Sequence, residues 1–574
     1  MSLRVWLPLN GNLNNQGLSD IAVTNNGATI DNNGKIGKCY YFDGTYISFN
    51  RPLPNPCSAF TICGWVKLST GYAANNGLHL ISFETSYGRI CISKDGLAVR
   101  VLLNYNGTTS ATGSTATASS VSANVWNHYA VTFDSGKINI YINGQLDNSY
   151  TINISQVSIT SSILKVGTYS TESSKGYVND FRIYDHALSP KEIEILSRGL
   201  VCHYPLNGGG RGGDNLLTNT SDLTKWIKES GISVTWDADK GMYKIVDSSH
   251  TSSRWGIYKN IDISPNTSYT VTCTLEGDNC SVGFGFYDSS TSFPANVITV
   301  TNNTKKRLSY TATSGANSTL ARIYLNINCG SSATKTAWFS LPKLEIGDHS
   351  TPWIPNSTDP EYAKMGYDSN IEYDVSGYGY DGTKNGTFTY SSDTARYSVS
   401  SVFNGSTYIS SNPSLSQIQT ISVWCKTTKN KNTSQIIVAC KESLLCVSFY
   451  NGNIISYFGN SSAGTGSKCV IGNSYIENGW NHIVVVATGT NTRKVYINGV
   501  ELSANSNDYW SDSVNGLFIG TRNTSSNPHN FYGNISDVRL YATALSAEQV
   551  AELYNTAVSV ANNGTLMGYE LVEV

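Results

Sequence analysis

The chain has 574 residues, several times the size of one domain, and this length predicts about three to five domains. Its formal net charge of -2 gives no electrostatic reason to expect nucleic acid or an anionic membrane as a partner, so neutral ligands or proteins fit better. Only 14% of the residues are charged, whereas 36 tyrosines and 11 tryptophans favour β-rich sandwiches with aromatic residues on half-buried faces.

The sequence opens with strand-like residues, Leu3-Arg4-Val5-Trp6, rather than with a charged and then apolar leader. No run approaches the roughly 18 apolar residues that cross a membrane. We therefore expect a protein made in the cytosol without membrane insertion. Several of the 12 cysteines lie in strand-like runs without Cys-x-x-Cys pairs or zinc spacing, and we expect buried thiols at Cys63, Cys91, Cys273, Cys425 and Cys440.

The next predicted elements are a hairpin and a helix. Residues 128–133 and 138–142 alternate in the manner of strands, the turn sequence 134–137 joins them, and Asn143-Gly144 closes the pattern as a hairpin dipeptide. Ser189-Pro190-Lys191-Glu192 spells a capping box with proline at the first helical position, and Gly199 ends the helix.

These elements occur twice, which indicates two copies of one domain. The shared segments keep their order and a nearly constant offset. They are Phe42-Asp43-Gly44 with Phe403-Asn404-Gly405, Ile62-Cys63-Gly64-Trp65 with Ile421-Ser422-Val423-Trp424, Trp126-Asn127-His128 with Trp480-Asn481-His482, Tyr141-Ile142-Asn143-Gly144 with Tyr496-Ile497-Asn498-Gly499, and Asp180-Phe181-Arg182-Ile183-Tyr184 with Asp537-Val538-Arg539-Leu540-Tyr541.

The first strand of the second copy lies far ahead of the rest of it. Pro8-Leu9-Asn10-Gly11 reappears at Pro205-Leu206-Asn207-Gly208, long before the second Phe-Asn-Gly segment. An independent domain therefore interrupts the second copy at a loop whose ends lie close together. We interpret the chain as a first unit (1–199), a second unit (200–210 plus 365–556), a guest domain (211–364) and a tail (557–574) whose residues Leu566 to Val574 predict a last strand.

The guest domain shows short strand-like stretches between loops rich in Ser, Asn and Gly. This pattern predicts another sandwich. The stretches are 269–275, 281–287, 307–311, 320–327 and 337–341.

The repeated motifs resemble the concanavalin A-like lectin/glucanase sandwich in its laminin-G-like form. The resemblance implies an all-β chain with two concanavalin A-like β-sandwiches (jelly rolls), the second interrupted by an inserted β-sandwich domain. The guest domain resembles a jelly-roll carbohydrate-binding module, through Asn215-Leu216-Leu217 and the closing Leu344-Glu345-Ile346-Gly347 and Thr351-Pro352-Trp353.

That closing phrase and the nesting are similar to bacteriophage tail, baseplate or fibre proteins. This similarity implies a virion component that attaches to a bacterial surface polysaccharide or glycan, with other virion proteins as partners and a trimer as the expected homo-oligomer. The alternative is a structural or decoration protein that binds only other proteins. A glycoside hydrolase is the third hypothesis.

The sequence lacks the paired carboxylates of a hydrolase. Glucanases of the resembled superfamily carry Glu-x-Asp-x-(x)-Glu on one strand, which puts acid and nucleophile on one face. Glu372-Tyr373-Asp374 begins this pattern, but no second glutamate follows. His128 and His482 lie beside tryptophans in buried-looking strands, so we expect core histidines rather than acid-base catalysts. We predict that the chain is not an enzyme and requires no cofactor.

Two aspartates leave a metal site open. Asp180 and Asp537 precede the repeated Arg-x-Tyr segments, and some laminin-G-like relatives hold Ca²⁺ with loop carboxylates. The alternative is that each carboxylate pairs with the neighbouring Arg182 or Arg539 or caps a turn.

Sugar binding needs a flat aromatic ring for the apolar face of a pyranose and a few polar groups for its hydroxyls. Core packing is the alternative role for each aromatic residue, and the Asn-rich loop 104–106 is a second location for such a site. In the guest domain the predicted carbohydrate-binding residues are Trp236, Arg254, Trp255, Tyr258, Tyr287 and Tyr324.

Overall fold

The computed structural model is almost entirely built from β-strands. Side chains are not described for some strand residues, Arg254 among them. The structure describes residues 3–555 except 18, 20, 70–77, 83–88, 93–98, 104–112, 117–121, 160, 168–174, 207–214, 239, 251–253, 279, 289–305, 329–333, 347–355, 357, 360–369, 392, 396–399, 414–417, 430–432, 441–445, 451–452, 459–466, 472–478, 489–492, 503–504, 507–515 and 523–528.

The first unit contains fifteen described strands and one helix. They are β1 (Leu3–Leu7), β2 (Val23–Asn26), β3 (Thr29–Asp31), β4 (Cys39–Asp43), β5 (Tyr46–Asn50), β6 (Ala59–Leu68), β7 (Leu78–Ser82), β8 (Arg89–Ile92), β9 (Val99–Leu103), β10 (Gly113–Ala116), β11 (Asn127–Asp134), β12 (Lys137–Ile142), β13 (Gln145–Thr151), β14 (Ile163–Gly167), β15 (Lys175–Tyr184) and α1 (Pro190–Leu196).

These strands form two antiparallel sheets with the core between them. Sheet A has the order β13-β12-β11-β6-β15-β4-β3, with β1 added on β15, and sheet B has the order β10-β9-β8-β7-β14-β5-β2. Alternate residues of β6, such as Phe60, Ile62 and Val66, are fully buried between the sheets. The intervening residues therefore face outward from sheet A.

The predicted local signals operate as expected in the first unit. Ser135 and Asn143 adopt positive φ angles of 46° and 49°, each followed by a glycine with positive φ, which matches the right-handed twist of a tight hairpin. Ser189 accepts a hydrogen bond from the Glu192 amide, and the Glu192 carboxylate accepts one from the Ser189 amide in return. This capping box begins α1.

The chain then contributes one strand to the second unit and enters the guest domain. The described strands are β16 (Leu200–Tyr204), β17 (Ile227–Lys228), β18 (Ile232–Asp237), β19 (Met242–Asp247), β20 (Arg254–Asp262), β21 (Ser268–Asp278), β22 (Ser281–Asp288), β23 (Lys306–Thr313), β24 (Leu320–Asn328) and β25 (Lys335–Ile346), with a 3₁₀ turn at Leu223–Lys225.

The guest domain is a second kind of sandwich. Sheet C has four strands in the order β17-β20-β24-β22, and sheet D has five in the order β18-β19-β25-β21-β23. Ile257, Leu325 and Phe284 of sheet C pack against Val271 and Phe339 of sheet D. All five predicted strand stretches are present, extended by one to seven residues.

The second unit resumes after the guest domain. Its described elements are β26 (Ile371–Glu372), β27 (Gly382–Asn385), β28 (Thr389–Ser391), β29 (Ser400–Asn404), β30 (Tyr408–Ser411), β31 (Thr420–Thr427), β32 (Gln435–Cys440), β33 (Cys446–Tyr450), β34 (Asn453–Phe458), β35 (Ser467–Ile471), β36 (Asn481–Ala487), β37 (Arg493–Ile497), β38 (Val500–Leu502), β39 (Asn505–Ser506), β40 (Leu517–Ile519), β41 (Tyr532–Tyr541) and α2 (Ala547–Asn555).

The sheets of the second unit repeat the strand order of the first, with two additional short strands, β26 and β39, at the ends of the second sheet. Sheet E runs β28-β29-β41-β31-β36-β37-β38, with β16 added on β41, and sheet F runs β26-β27-β30-β40-β32-β33-β34-β35-β39. His203 of β16 lies opposite Arg539 of β41, as Trp6 of β1 lies opposite Arg182 of β15. The chain therefore consists of two sandwiches of one topology, the second interrupted after its first strand by the guest sandwich.

The outer face of sheet A packs partly against the second unit. Trp6 meets Tyr378 edge to face at a ring-centroid distance of 5.7 Å, and Gly377 lies beneath the same indole. The Lys35 ammonium donates to the carbonyl of Ala542 at 2.5 Å. Burial lowers the pKa of Lys35 to about 8. The two units thus share one continuous apolar cluster.

The described cysteines support the expectation of buried thiols. Burial raises the pKa of Cys63 to about 12, so its thiol is not ionised at neutral pH. Among the helices in the described part of the chain, none has the length and apolarity to cross a bilayer. The buried thiols are Cys39, Cys57, Cys63, Cys202, Cys273, Cys280, Cys425 and Cys440.

Candidate functional site

The strongest candidate site is the outer face of sheet C in the guest domain. Ile257 in β20 and Ile323 and Leu325 in β24 are fully buried toward sheet D. Because side chains alternate along a strand, Tyr258 and Tyr324 lie on the opposite, outer face. The two tyrosines are register partners, and their ring centroids are 5.5 Å apart.

An arginine joins the two rings. The Arg322 guanidinium lies 4.2 Å from the centroid of Tyr258, donates from Nη1 to the Tyr324 hydroxyl at 2.9 Å, and donates from Nε to Asn260 Oδ1 at 3.0 Å. The hydrogen bond to Tyr324 raises the pKa of Arg322. A cation is therefore fixed among the aromatic rings.

Glycines leave the centre of this face with few side chains. Asn326 lies between Gly256 of β20 and Gly283 of β22 in the register, and Tyr324 lies opposite Gly285. A Cβ atom on Gly256 would lie 2.0 Å from the carbonyl oxygen of Leu325, so this position excludes any side chain. The backbone at Gly256, Gly283 and Gly285 therefore carries no side chain between the flanking tyrosines, and all three glycines are buried.

Asn326 supplies an unused acceptor at this centre. Its side chain is only 5% exposed, and its Oδ1 atom has no hydrogen-bond partner among the described residues. Buried polar atoms are nearly always hydrogen bonded, because an unpaired one costs about 1–3 kcal/mol. The unpaired Asn326 Oδ1 is therefore a costly feature of this centre, and the atom itself has almost no accessible surface.

The structure brings three of the six predicted guest residues together. Tyr287 of β22 lies opposite Arg322 and is 43% exposed, so it joins Tyr258 and Tyr324. We call the set of Tyr258, Tyr287, Arg322, Tyr324 and Asn326 the tyrosine face. The strand position of Arg254 is two residues before Gly256, and its side chain is outside the described part of the chain.

The two predicted tryptophans lie elsewhere. Trp255 packs toward the guest core, with its ring stacked on His250 at 3.8 Å, and therefore has the packing role that was the alternative. Trp236 belongs to sheet D, contacts Tyr243 at 4.9 Å, and is 54% exposed. Sequence reasoning missed Arg322 and Asn326. The alternation of residues 320–327 contained the signal, because it puts both residues on the face of Tyr324.

Asp180 forms a buried ion pair. It is 2% exposed, lies 3.0 Å from the Arg182 guanidinium, and accepts a hydrogen bond from Trp6 Nε1 at 2.7 Å. Asp537 accepts from Arg539 Nε at 2.7 Å and contacts His203 Nε2 at 2.8 Å. These contacts are those of the ion-pair alternative to Ca²⁺. Within the described residues, no group of three His, Cys, Asp or Glu side chains is placed to hold a metal ion.

The Glu372-Tyr373-Asp374 segment has a structural role. Asp374 accepts hydrogen bonds from the amides of His203, Ser376 and Tyr380 and is 2% exposed. Glu372 is 1% exposed, accepts from the Leu206 amide, and lies 3.3 Å from the Lys384 ammonium. Both carboxylates fasten β16 to the resumed second unit, because His203 and Leu206 precede the guest domain and the carboxylates follow it.

The repeated histidines are core residues. His128 is 1% exposed and packs against Trp65 at a ring-centroid distance of 5.4 Å. Burial lowers its pKa to about 4. His482 stacks on Trp424 at 4.8 Å, and its Nε2 atom contacts Ser422 Oγ at 2.8 Å. The loop 104–106 and the predicted last strand, Leu566 to Val574, lie outside the described residues.

Comparison with known proteins gives a family and several solved structures of low structural similarity. Domain 4 of AbnA, a GH43 extracellular arabinanase from Geobacillus stearothermophilus in complex with arabinotriose, is 18% identical, with 34% of this chain and 98% of that chain covered and a TM-score of 0.27. The binding domain of Paraclostridial Mosquitocidal Protein 1 is 11% identical, with 98% and 96% covered and a TM-score of 0.29.

The botulinum neurotoxin serotype D binding domain is 15% identical, with 59% of this chain and 97% of that chain covered and a TM-score of 0.28. No curated protein sequence gives a significant match. The family model Laminin_G_3, described as Concanavalin A-like lectin/glucanases superfamily, matches residues 43–194 and 403–551, together just over half of the chain. The chain therefore belongs to the concanavalin A-like lectin/glucanase superfamily.

Proposed function

We propose that this chain is a non-catalytic carbohydrate-binding adhesion protein whose guest domain holds a glycan on the tyrosine face. The observation that carries the proposal is the cluster of the partly exposed Tyr258 and Tyr324 rings with the exposed Tyr287 and the Arg322 guanidinium held against them. Ring faces attract the C–H side of a sugar, and fixed amides and guanidinium nitrogens recognise its hydroxyls.

The chemistry of the described carboxylates supports binding rather than hydrolysis. Glycoside hydrolysis needs two carboxyl groups roughly 5 to 10 Å apart on either side of the bond to be cleaved. Asp374 is buried and accepts three backbone amides, and Glu372 is buried, accepts the Leu206 amide and lies 3.3 Å from the Lys384 ammonium. Glu229, beside the tyrosine face, accepts a hydrogen bond from the Gly256 amide at 2.8 Å. These carboxylates hold the fold together.

The setting we propose is a bacteriophage virion, where the chain attaches to a bacterial surface glycan. Support comes from the nested sandwiches and the closing phrase of the guest domain, which are similar to tail, baseplate and fibre proteins. A purely structural virion component would use the same sandwiches without a ligand on the tyrosine face, so glycan binding separates the two functions.

A paired substitution on the tyrosine face tests the proposal. Full-length chain and a Tyr258→Ala/Tyr324→Ala variant are applied to immobilised glycans and bacterial cell-wall polysaccharides, and affinities are measured by biolayer interferometry. We expect the variant to lose about tenfold in affinity per ring removed, since each ring contributes about 1.4 kcal/mol. Thermal unfolding confirms that the variant is folded.

Trp236→Ala is the matched control, because this ring is the most exposed aromatic of the predicted set but lies on sheet D. We expect its glycan affinities to stay within about twofold of the parent chain. Equal binding by the parent and the tyrosine variant, or loss of binding in the Trp236 variant alone, contradicts the assignment of the tyrosine face.

A further inference from the structure

A row of aromatic rings crosses the outer face of sheet A, beyond the part that the second unit covers. Tyr41 of β4, Tyr177 of β15 and Lys67 of β6 are register neighbours, and Trp126 directly precedes β11 at the next position. All four side chains are partly exposed. We call these four residues the aromatic row.

The rings of the aromatic row are close enough to form one continuous surface. The centroids of Tyr41 and Tyr177 are 4.8 Å apart, and those of Tyr177 and Trp126 are 6.3 Å apart. The Lys67 ammonium lies 4.2 Å from the centroid of Tyr177 and 5.3 Å from that of Trp126. The row therefore presents three aromatic rings, with the Lys67 ammonium between Tyr177 and Trp126.

The second unit shows that the fold does not require these rings. At the positions of the two tyrosines it has Val402 and Asn534. Asn534 is the register partner of both Val402 and Lys426, as Tyr177 is of both Tyr41 and Lys67. Trp480 and Lys426 are retained, but both bind Asp393, the tryptophan through Nε1 at 2.8 Å and the lysine at 2.6 Å. The same scaffold is thus stable with a short aliphatic and an amide residue there.

The charge pattern of the aromatic row favours an acidic ligand. In the described part of the chain no carboxylate forms an ion pair with Lys67, in contrast to Lys426. Its cation–π contacts are weaker than a charge-assisted hydrogen bond to a carboxylate. Burial and, next, the Asp31 carboxylate raise the pKa of Tyr177, and Asp31 lies on β3, which borders β4 on the side away from Tyr177. It therefore puts negative charge at the Tyr41 end.

We infer that the aromatic row is a second glycan-binding surface, on the first unit, that takes an acidic polysaccharide. A uronic acid carboxylate binds the Lys67 ammonium, and the neighbouring sugar rings lie on Trp126 on one side and on Tyr177 and Tyr41 on the other. Asp31 directs the carboxylate toward Lys67 rather than toward the Tyr41 end. This site is independent of the guest domain, so the chain binds glycans at two separate places.

The test uses the full-length chain and three acidic probes, polygalacturonate, alginate and hyaluronate, with carboxyl-reduced polygalacturonate as the neutral comparison. Affinities are measured by isothermal titration calorimetry for the parent, for Tyr41→Ala/Tyr177→Ala, for Lys67→Gln, and for the matched second-unit control Trp480→Ala. Each variant is also made in the Tyr258→Ala/Tyr324→Ala background, in which the tyrosine face is disabled.

We expect the parent to bind at least one acidic probe and Tyr41→Ala/Tyr177→Ala to weaken that binding by about tenfold or more in both backgrounds. Lys67→Gln weakens binding of the acidic probe by about fivefold and leaves the carboxyl-reduced probe within about twofold, because only the former offers a carboxylate. Trp480→Ala stays within about twofold of the parent.

Several results overturn the inference. They are absence of binding to all three acidic probes, unchanged binding by Tyr41→Ala/Tyr177→Ala, and an equal effect of Lys67→Gln on the acidic and neutral probes. Loss of all binding in the Tyr258→Ala/Tyr324→Ala background alone places every glycan on the guest domain and refutes the aromatic row. Unchanged binding of every glycan, neutral or acidic, by Tyr258→Ala/Tyr324→Ala refutes the tyrosine face and leaves the aromatic row untouched.

Discussion

Replacing Asp180 by asparagine separates the ion pair seen in the structure from the calcium site that the sequence left open. Asp180 and Arg182 are 2% and 4% exposed and lie 3.0 Å apart. Although burial alone lowers the pKa of Arg182, Asp180 raises it well above its usual value. The guanidinium of the Asp180→Asn variant is therefore still charged, but it has lost its nearest counter-charge.

The substitution is otherwise conservative. Asparagine has the same shape, keeps an acceptor for the Trp6 indole, and tolerates the positive φ of 54° at this position. Removing one partner of a buried ion pair costs about 3–5 kcal/mol. We expect Asp180→Asn to lower the free energy of unfolding of the first unit by that amount, with Asp537→Asn as the equivalent change in the second unit.

Urea unfolding of the full-length chain, followed by tryptophan fluorescence, measures the loss for both variants in the presence of Ca²⁺ and of a chelator. We expect the same loss in both solutions and an unchanged parent. A parent chain that is stabilised by Ca²⁺, together with an Asp180→Asn variant that is not, refutes the ion-pair reasoning. It would make Asp180 a metal ligand.

Two further predictions concern the pH dependence of stability and the contact between the units. Burial lowers the pKa of His128 to about 4, from about 6.5 in an unfolded chain, so the unfolded state takes up the proton first as the pH falls. Its contribution to stability, up to about 3 kcal/mol, is present above pH 6.5 and lost toward pH 4. Urea unfolding at pH 7.5, 5.5 and 4.5 should show a shallower pH dependence for His128→Gln, and an unchanged slope contradicts the reasoning. Gly377→Ala is expected to lower the free energy of unfolding by about 1–3 kcal/mol or more, because the new Cβ would lie 2.1 Å from the Trp6 ring. Gly379→Ala has a similar positive φ but no atom within 4 Å, so calorimetry should show only the smaller backbone cost; equal losses would mean that the Trp6 contact is unimportant.

Much of the fold follows from local patterns in the sequence. The hairpin dipeptides, the capping box of α1 and all five predicted guest strands are present, because turn and cap residues act within a few positions of the chain. The displaced Pro-Leu-Asn-Gly motif indicated that β16 belongs to the second unit, and β16 pairs with β41. Repetition carried this long-range information.

The candidate site was predicted only in part. Aromatic composition pointed to Tyr258, Tyr287 and Tyr324, but composition does not reveal which face of which sheet a ring occupies. Trp255 was assigned to ligand binding although its strand turns it toward the core and His250. The aromatic row was missed because Tyr41 and Tyr177 are far apart in sequence and meet only as register partners.

The sequence alone determined that this chain is all-β, that one sandwich type occurs twice, and that a guest domain interrupts the second. Those properties depend on alternation, turn residues and repeats. Alternation and turn residues act over a few neighbouring positions, and a repeat is recognised by comparing one part of the sequence with another. Only the tertiary structure decided which polar groups meet. Asp180 with Trp6, Arg322 with Tyr258, and Lys67 with Tyr177 are set by strand register and by the packing of sheets, and both depend on the whole chain at once.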